Sequence, residues 1–279
     1  MLKQKPFSWL QPSEAIFDSE NRIQPLNCKR GDIANRIISV GDPNRAAKLK
    51  KYFDEGTVKT IYSNMIYVIY TGEFNKVPIS VIATGMGFAM IDLLVVQIRS
   101  IVDGPITIIR FGTCGSLSPD VSIACYAVTD KVYGVTQSYE NLNFPYHISK
   151  RPYKMDQKLM NSILSTFHED LPEYKTVSGS TFSADTFYGS QGRIDDRFNN
   201  NNQDLIQKIL ETDDNVLNFE MEAYVFAFLA QNFPEAQLKV GAVCITLAER
   251  KNGLFLTNDE KYEMEEKAAK VLFKVISNE

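Results

Sequence analysis

The sequence predicts a single α/β domain built on a mixed β-sheet, and three observations support this fold class. Strand-like apolar runs alternate with helix-like amphipathic segments along most of the chain. The 279 residues are 44% hydrophobic and 23% charged, a composition typical of globular proteins and unlike that of disordered ones. No linker rich in proline, glycine or serine divides the chain, so one domain is expected.

In the first half of the chain, the clearest helix is predicted at 88–102, where apolar residues recur at helical spacing until Asp103-Gly104-Pro105 ends the pattern. The segment 106–111 is continuously apolar, as expected for a strand covered on both faces. Further strands are predicted at 37–40, 77–83 and 124–133, one long or two short strands at 61–74, and a helix at 44–53.

The second half continues the same alternation. An asparagine run, Asn199 to Asn202, is expected to form an exposed loop tip. We predict helices at 155–169, 203–210, 222–231 and 260–276, and strands at 174–182, 216–219 and 238–247.

Charge and composition exclude several classes of function. Thirty basic against 34 acidic residues give a net charge of −4, which argues against nucleic-acid binding. The four cysteines form no CxxC pair and only two histidines are present, so a metal site is not expected. No apolar run is long enough to span a membrane, and residues 1–12 lack the apolar core of a signal peptide. We therefore expect a soluble cytoplasmic protein with reduced thiols.

Three glycine-rich turns follow predicted strands, at 41–45, 84–87 and 110–115. Backbone N–H groups at such turns can surround an anion, and the turns carry Arg45 and Arg110, whose guanidinium groups match phosphate oxygens. The alternative is that the glycines only make turns and the arginines only face solvent. Arg110, however, lies within an apolar strand, where a charge requires a partner. Neither a GxGxxG nor a P-loop motif is present.

Five motifs occur together in a specific order: GDPNR at 41–45, ATGMG at 83–87, RFGTCG at 110–115, SADTFYGSQGR at 183–193 and NFEMEA at 218–223. This ordered set resembles the nucleoside phosphorylase family, in particular its uridine phosphorylase branch. The resemblance divides the chain into an N-terminal extension, 1–32, and a nucleoside phosphorylase domain, 33–279. It implies a mixed, barrel-like central sheet flanked by helices.

The resemblance also implies an activity, the reversible phosphorolysis of uridine to uracil and ribose 1-phosphate. Inorganic phosphate is then a co-substrate, no cofactor or metal is needed, and the protein forms a homodimer or an assembly of dimers. The catalytic residues implied are Arg110, Thr113, Arg193 and Glu222. By subsite, the resemblance assigns phosphate to Gly41, Arg45, Arg110 and Thr113; ribose to Thr113, Glu220, Met221 and Glu222; and the base to Cys114, Gly115, Phe187, Gln191, Arg193 and Arg250.

The base-binding residues have a chemical rationale of their own. Gln191 and Arg193 are two residues apart, so in an extended segment both side chains point the same way and can pair with one edge of uracil. Ala248-Glu249-Arg250 stands where purine-preferring members usually carry an aspartate, which favours a pyrimidine. The alternatives are a solvated loop for the Gln-x-Arg pair and for Arg250, core packing for Phe187, and a helix N-terminus role for Glu222.

Two positions depart from the family pattern. Pro25 stands where members usually have a histidine, and a gapless count from Pro78 places Met65 where they usually have an arginine. In the family both residues reach the neighbouring subunit's site. Two alternatives therefore stay open: a nucleoside phosphorylase of shifted specificity, for example for 5′-modified or deoxy nucleosides, and a nucleoside-binding protein with little turnover.

Overall fold

The computed structural model describes residues 16–140, 145–250 and 252–279. The helices are α1 (Pro43–Leu49), α2 (Phe88–Ile101), α3 (Gln157–Asp170), α4 (Leu205–Thr212), α5 (Ala223–Asn232) and α6 (Asn258–Ser277), with 3-10 turns at Lys50–Tyr52, Gly189–Gln191 and Pro234–Ala236. The strands are β1 (Ile16–Phe17), β2 (Ile23–Gln24), β3 (Arg36–Val40), β4 (Lys59–Tyr62), β5 (Val68–Phe74), β6 (Val77–Ala83), β7 (Ile106–Ser116), β8 (Tyr126–Gln137), β9 (Tyr146–Ile148), β10 (Tyr153–Lys154), β11 (Thr176–Ala184), β12 (Val216–Glu220), β13 (Leu238–Glu249) and β14 (Leu254–Phe255).

Twelve strands form one sheet in the order β14-β13-β8-β11-β12-β7-β3-β6-β5-β4, with β9 and β10 paired to β8. An additional pairing of β13 with β7 closes β13, β8, β11, β12 and β7 into a ring of five strands. The sheet is mixed, as predicted: β7 runs parallel to β3 and β13 and antiparallel to β12. The closed ring brings the ends of β7, β12 and β13 together.

The sheet is covered by helices on both faces, which explains why β7 begins with apolar side chains that point to both faces. On β7, Ile109 packs into a buried cluster shared with α1, α3 and α6. Its neighbour Ile108 points the other way, into a cluster shared with α2 and α5. A charged side chain on such a strand therefore lies in the interior whichever face it is on.

All the predicted helices and long strands are present, with shifted ends. The segment 61–74 forms two strands because the Ser63 hydroxyl accepts hydrogen bonds from the N–H groups of Met65 and Tyr67, at 3.1 and 2.9 Å, which turns the chain. β7 extends five residues beyond the predicted end because its glycine-rich motif stays paired with β13. The short strands β1, β2, β9, β10 and β14 were not predicted.

The asparagine run corrects one expectation. Asn199 and Asn201 are exposed, but Asn202 is buried. Its side-chain amide donates to the carbonyls of Gly189 at 2.7 Å and Arg193 at 3.3 Å. Asn202 therefore fixes the turn that carries Gln191 instead of lying at a loop tip.

The first part of the predicted extension, residues 1–15, lies outside the described residues. The remainder packs onto the domain, since Ile23, Leu26 and Cys28 are buried in the cluster under α2. All four cysteines are buried and free. Across the described ranges, no helix combines the length and apolarity needed to cross a bilayer.

The N-terminus of α6 gives a test of the fold. Thr257 and Glu260 form a reciprocal capping box, with the Thr257 N–H donating to Glu260 Oε2 at 2.8 Å. Thr257→Ala should lower the free energy of unfolding by about 1 kcal/mol, because an N–H group of the first turn loses its acceptor. Ser277→Ala, at the other end of the helix, should change it by less than about 0.5 kcal/mol. Equal effects in urea titrations would contradict the capping role.

Candidate active site

A cavity of about 890 Å³ opens where β3, β6, β7, β12 and β13 end. Its walls combine the glycine-rich turns with the strand-to-helix junction after β12. All thirteen site residues predicted from the sequence line it: Gly41, Arg45, Arg110, Thr113, Cys114, Gly115, Phe187, Gln191, Arg193, Glu220, Met221, Glu222 and Arg250. The structure thus brings together residues separated by more than 200 positions.

Arg110 has the partner that its place in an apolar strand required. Its Nη2 donates to Glu222 Oε2 at 2.6 Å, and both side chains are nearly fully buried. Burial disfavours the charged guanidinium, but the carboxylates of Glu222 and Glu220 outweigh it and raise the pKa of Arg110. Its Nε and Nη1 are buried and have no partner among the described residues. A Cβ added at Gly41 would lie 3.3 Å from Nη2 and 3.3 Å from the Gly85 carbonyl oxygen, so the glycine lets the turn approach Arg110 closely.

Arg45 enters the same end of the cavity from α1. Its Nε donates to Glu265 Oε1 on α6 at 2.9 Å, and its Nη1 donates to the carbonyl of Phe111 at 3.3 Å. The guanidinium lies 5.4 Å from the centre of the Phe111 ring. Asp42 accepts from the N–H of Asn44 and so begins α1, which sets the direction in which Arg45 leaves the helix.

The middle of the cavity contains two buried carboxylates with different tasks. Glu222 Oε2 accepts a hydrogen bond from Arg110 Nη2, and Glu222 Oε1 accepts one from the N–H of Gly87 at 2.8 Å. Glu220 accepts the N–H groups of Glu222 and Ala223, at the start of α5, and the hydroxyl of Ser183. Burial, and then the nearby Glu222 carboxylate, raise the pKa of Glu220 to about 7. Glu220, and not Glu222, therefore satisfies the helix N-terminus.

The far end of the cavity is built around Arg250. Its side chain passes over Gly115, where an added Cβ would lie 3.2 Å from Arg250 Cδ, and its Nη1 donates to the carbonyl of Gln191. This contact fixes Arg250 in the wall of the cavity, in place of the solvated loop position that was the alternative. The thiol of Cys114 turns to the carbonyl of Ile245, at 3.6 Å, so Cys114 reaches the cavity with its other atoms.

Gln191 and Arg193 both line the cavity, but the reason predicted for it is wrong. The segment is not extended: Gly189–Gln191 form a 3-10 turn, and Gly192 follows in the left-handed region with φ of 63°. Arg193 lies with its guanidinium 4.2 Å from the centre of the Phe187 ring. Phe187 is 41% exposed, which excludes core packing and makes its ring part of the cavity wall.

The arginines at the two ends differ in how they are neutralised. Arg45 and Arg110 each have a carboxylate partner, whereas Arg193 and Arg250 have none among the described residues. Burial, and then the charge of Arg193, lower the pKa of Arg250 to about 10. Glu249 also lines the cavity, but its carboxylate accepts from Ser122 Oγ at 2.9 Å and from Asn252. The far end therefore favours a ligand that carries or develops negative charge.

Neither of the two departures from the family pattern is part of the wall of this cavity. Met65 is 51% exposed and is not part of this chain's cavity wall, whereas its neighbour Ile66 is. Pro25 follows a cis peptide bond, and its carbonyl accepts the N–H of Asn64. Lys59 could supply a cation in place of the family arginine that is absent at position 65, but its Nζ is paired with Asp32 Oδ1 at 2.5 Å. In the part of the chain described, no group of three His, Cys, Asp or Glu residues could hold a metal ion.

Comparisons with known proteins agree with this arrangement. A family model described as Phosphorylase superfamily matches residues 35–278. A uridine phosphorylase of Thermococcus kodakarensis is 28% identical over 85% of this chain and 80% of its own length. A DeoD-type purine nucleoside phosphorylase of a Geobacillus species is 31% identical over 60% of this chain and 68% of its own.

Solved structures agree on the fold. The structure of a uridine phosphorylase from the oomycete Phytophthora capsici superposes with a TM-score of 0.90 at 27% identity, covering 96% of this chain and 98% of the other. A nucleoside phosphorylase from Trypanosoma brucei, at 22% identity, has the same fold with a TM-score of 0.78, covering 95% of this chain and 100% of the other. The predicted mixed α/β fold is confirmed. With its motifs gathered in one cavity and the family model matching nearly its whole length, the chain belongs to the phosphorylase superfamily.

Proposed function

We propose that this protein is a uridine phosphorylase, which converts uridine and inorganic phosphate to uracil and ribose 1-phosphate. The observation that supports this most directly is the distribution of arginines along one cavity. Arg45 and Arg110 converge beside the turn at Gly41, and Arg193 and Arg250 converge at the other end. In phosphorolysis an anion lies on one side of the ribose and negative charge develops on the base at the other side, so cationic groups suit both positions.

Phosphate is proposed to bind against Gly41, Arg45, Arg110 and Thr113. The guanidinium of Arg45 retains a free Nη2, and the hydroxyl of Thr113 has no hydrogen bond to another described residue. Guanidinium groups and hydroxyls together satisfy the oxygens of a tetrahedral anion. Held there, a phosphate oxygen attacks the anomeric carbon from the side opposite the base, and the bond from that carbon to N1 of uracil breaks.

The ribose is proposed to lie over Met221, with Glu222 and Thr113 beside it. As the bond to the base breaks, positive charge develops on the sugar, and the buried Glu222 carboxylate stabilises it. Glu222 shares its own charge with Arg110, so sugar and phosphate are bound by one connected ion pair. Glu220 remains a proposed ribose contact, although its carboxylate already accepts three hydrogen-bond donors within the protein.

The departing uracil leaves as an anion, and the base end is suited to it. The side-chain amide of Gln191 has no hydrogen-bond partner among the described residues, and the buried Nε of Arg193 has none either. The Gln191 amide can accept from N3–H of uracil and donate to one of its oxygens, and the Arg193 guanidinium can donate to the oxygens. The charged interaction strengthens as negative charge moves onto the base. Such differential stabilisation of the transition state is what accelerates a reaction.

Preference for a pyrimidine rests on the base end as well. Protonating a purine leaving group needs an acid that faces the base, but the Glu249 carboxylate is directed to Ser122 and Asn252. The relatives include purine nucleoside phosphorylases, so a purine substrate is the second candidate. The alternatives of shifted specificity and of a binding protein rest on Met65 and Pro25.

We further propose a homodimer, in which Met65 faces a neighbouring subunit's site.

The reaction itself is the first test. Uridine should release uracil only when inorganic phosphate is present, with ribose 1-phosphate formed in equal amount and inosine cleaved far more slowly. Arg110→Ala should abolish this phosphate dependence, since it removes a cation at the site of the anion, whereas the exposed Arg30→Ala should not. Thermal melts check folding of both variants. Binding of uridine without turnover would favour the binding-protein alternative, and faster cleavage of inosine would favour a purine.

A second test concerns the leaving base. Gln191→Ala and Arg193→Ala should each lower kcat by about 10²- to 10³-fold, the usual effect of removing a donor to a transition-state anion. Arg197→Ala is the matched control, because Arg197 lies in the same loop but is exposed and paired with Asp195. Steady-state kinetics at saturating phosphate make the comparison. Near-normal rates in both cavity variants would remove the basis for a pyrimidine site.

Met65→Arg tests the proposed assembly. A charged hydrogen bond contributes about 1.5–3 kcal/mol, so a guanidinium reaching the neighbour's phosphate should lower the KM for phosphate by about 10- to 150-fold, with a smaller effect on the KM for uridine. The gain should disappear under conditions that dissociate the oligomer. An unchanged KM in a folded variant would mean that residue 65 faces no phosphate.

A further inference from the structure

One buried carboxylate is not used by the reaction just proposed, although it contacts a residue that is. Glu265 lies on α6, is 3% exposed and is not part of the cavity wall. Its Oε1 accepts from Arg45 Nε at 2.9 Å. The contact joins residues 220 positions apart and connects α6 to the phosphate end of the cavity.

The remaining contacts of Arg45 define its orientation. Nη1 donates to the Phe111 carbonyl, the guanidinium face lies against the Phe111 ring, and Nη2 alone has no protein partner in the described ranges. The hydrogen bonds from Nε and Nη1 together restrain rotation of the guanidinium group. Nη2 is therefore the nitrogen available to a ligand in the cavity that Arg45 lines.

Without Glu265, the Arg45 side chain could adopt a second orientation. A second cavity of about 270 Å³ lies on its other side, between α1 and α6, and Arg45 lines both. Glu265 itself also lines this second cavity, together with Lys48 and Tyr262. A long arginine side chain that is released from one acceptor gains rotamer freedom, and it can turn toward this second space.

Stability alone is a weak explanation for the pair. Burying two charges carries a large desolvation cost, and apolar replacements of buried ion pairs are often neutral or stabilising. A neutralising role predicts that Glu265 weakens anion binding, since its charge opposes that of the phosphate. An orienting role predicts the reverse, and the two occupied nitrogens of Arg45 favour it.

We propose that Glu265 is a positioning residue for phosphate: it holds the guanidinium of Arg45 with Nη2 directed into the cavity. The proposal rests on the phosphorylase function proposed above. Glu265 touches neither substrate, so its effect should be confined to the phosphate side. The residues proposed to bind the nucleoside lie on β7, at 187–193, at 220–222 and at Arg250, and in the described ranges none of them has a hydrogen bond or ion pair with the Glu265 side chain.

The test compares Glu265→Met, which keeps the volume and removes the acceptor, with Glu265→Gln, which keeps an oxygen. Glu265→Met should raise the KM for phosphate by about 10- to 100-fold, the effect of losing one charge-assisted contact. Glu265→Gln should raise it less. The KM for uridine and kcat at saturating phosphate should change by less than about 3-fold in both. Glu266→Gln is the control, because the adjacent side chain is 62% exposed and pairs with Lys51.

Calorimetric titration of inorganic phosphate into each variant measures binding without turnover. It separates the two proposals: a wild-type protein that binds phosphate but does not cleave uridine contradicts the function, while weaker binding in Glu265→Met still supports the positioning role. A fall in the KM for phosphate would show that Glu265 only neutralises Arg45 and would overturn the proposal. Equal losses for phosphate and uridine would overturn it too, by indicating general destabilisation. If Glu265→Met does not fold, unchanged phosphate binding in Glu265→Gln overturns it.

Discussion

The ion pair between Arg110 and Glu222 is the interaction on which the arrangement of the cavity depends. Arg110 lies in the middle of an apolar strand with helices over both faces, so its charge is tolerated only because a carboxylate meets it at 2.6 Å. Glu222 also accepts the N–H of Gly87, at the start of α2. One carboxylate thereby joins the turn after β6, the strand β7 and the junction between β12 and α5. These are the elements that form the middle of the cavity.

The two ends of the cavity differ in net charge. At the end proposed for phosphate, Arg45 and Arg110 are each paired with a carboxylate, so the protein alone is close to neutral there. At the end proposed for the base, Arg193 and Arg250 have no carboxylate partner in the described part of the chain, and burial disfavours the charge of both. Under the proposed function, a neutral pyrimidine would relieve little of the repulsion between these arginines, whereas a pyrimidine anion would relieve more. That end would then be more complementary to the departing base than to the intact nucleoside.

Much of the fold was predictable because the periodicity of apolar residues reports which faces are buried. The ordered motifs supply most of the cavity wall, but Ile66, Leu247, Gly253 and Phe255 line it from outside these motifs. The sequence suggested that Arg110 needs a partner, but nothing in local pattern identifies Glu222 as that partner. Asn202 and Glu265 were missed for the same reason: an asparagine run is typical of loops, and a glutamate on an amphipathic helix is typical of a solvated face.

Gln191 and Arg193 line the cavity as the resemblance implied, while their geometry depends on the left-handed Gly192. Contacts between residues far apart in sequence are set by tertiary packing, which local preferences do not encode.

The long separation within the two ion pairs also has a consequence for how the protein is made. Glu222 follows Arg110 by 112 residues, and Glu265 follows Arg45 by 220. At translation rates of about 5–20 residues per second, Glu265 is synthesised roughly 10 to 45 seconds after Arg45. During that time the anion site proposed here lacks one of its contacts, however well the earlier strands have folded. A ribosome-bound chain that has not yet exposed α6 should therefore lack the contact that orients Arg45, and the proposed site would be completed late in synthesis.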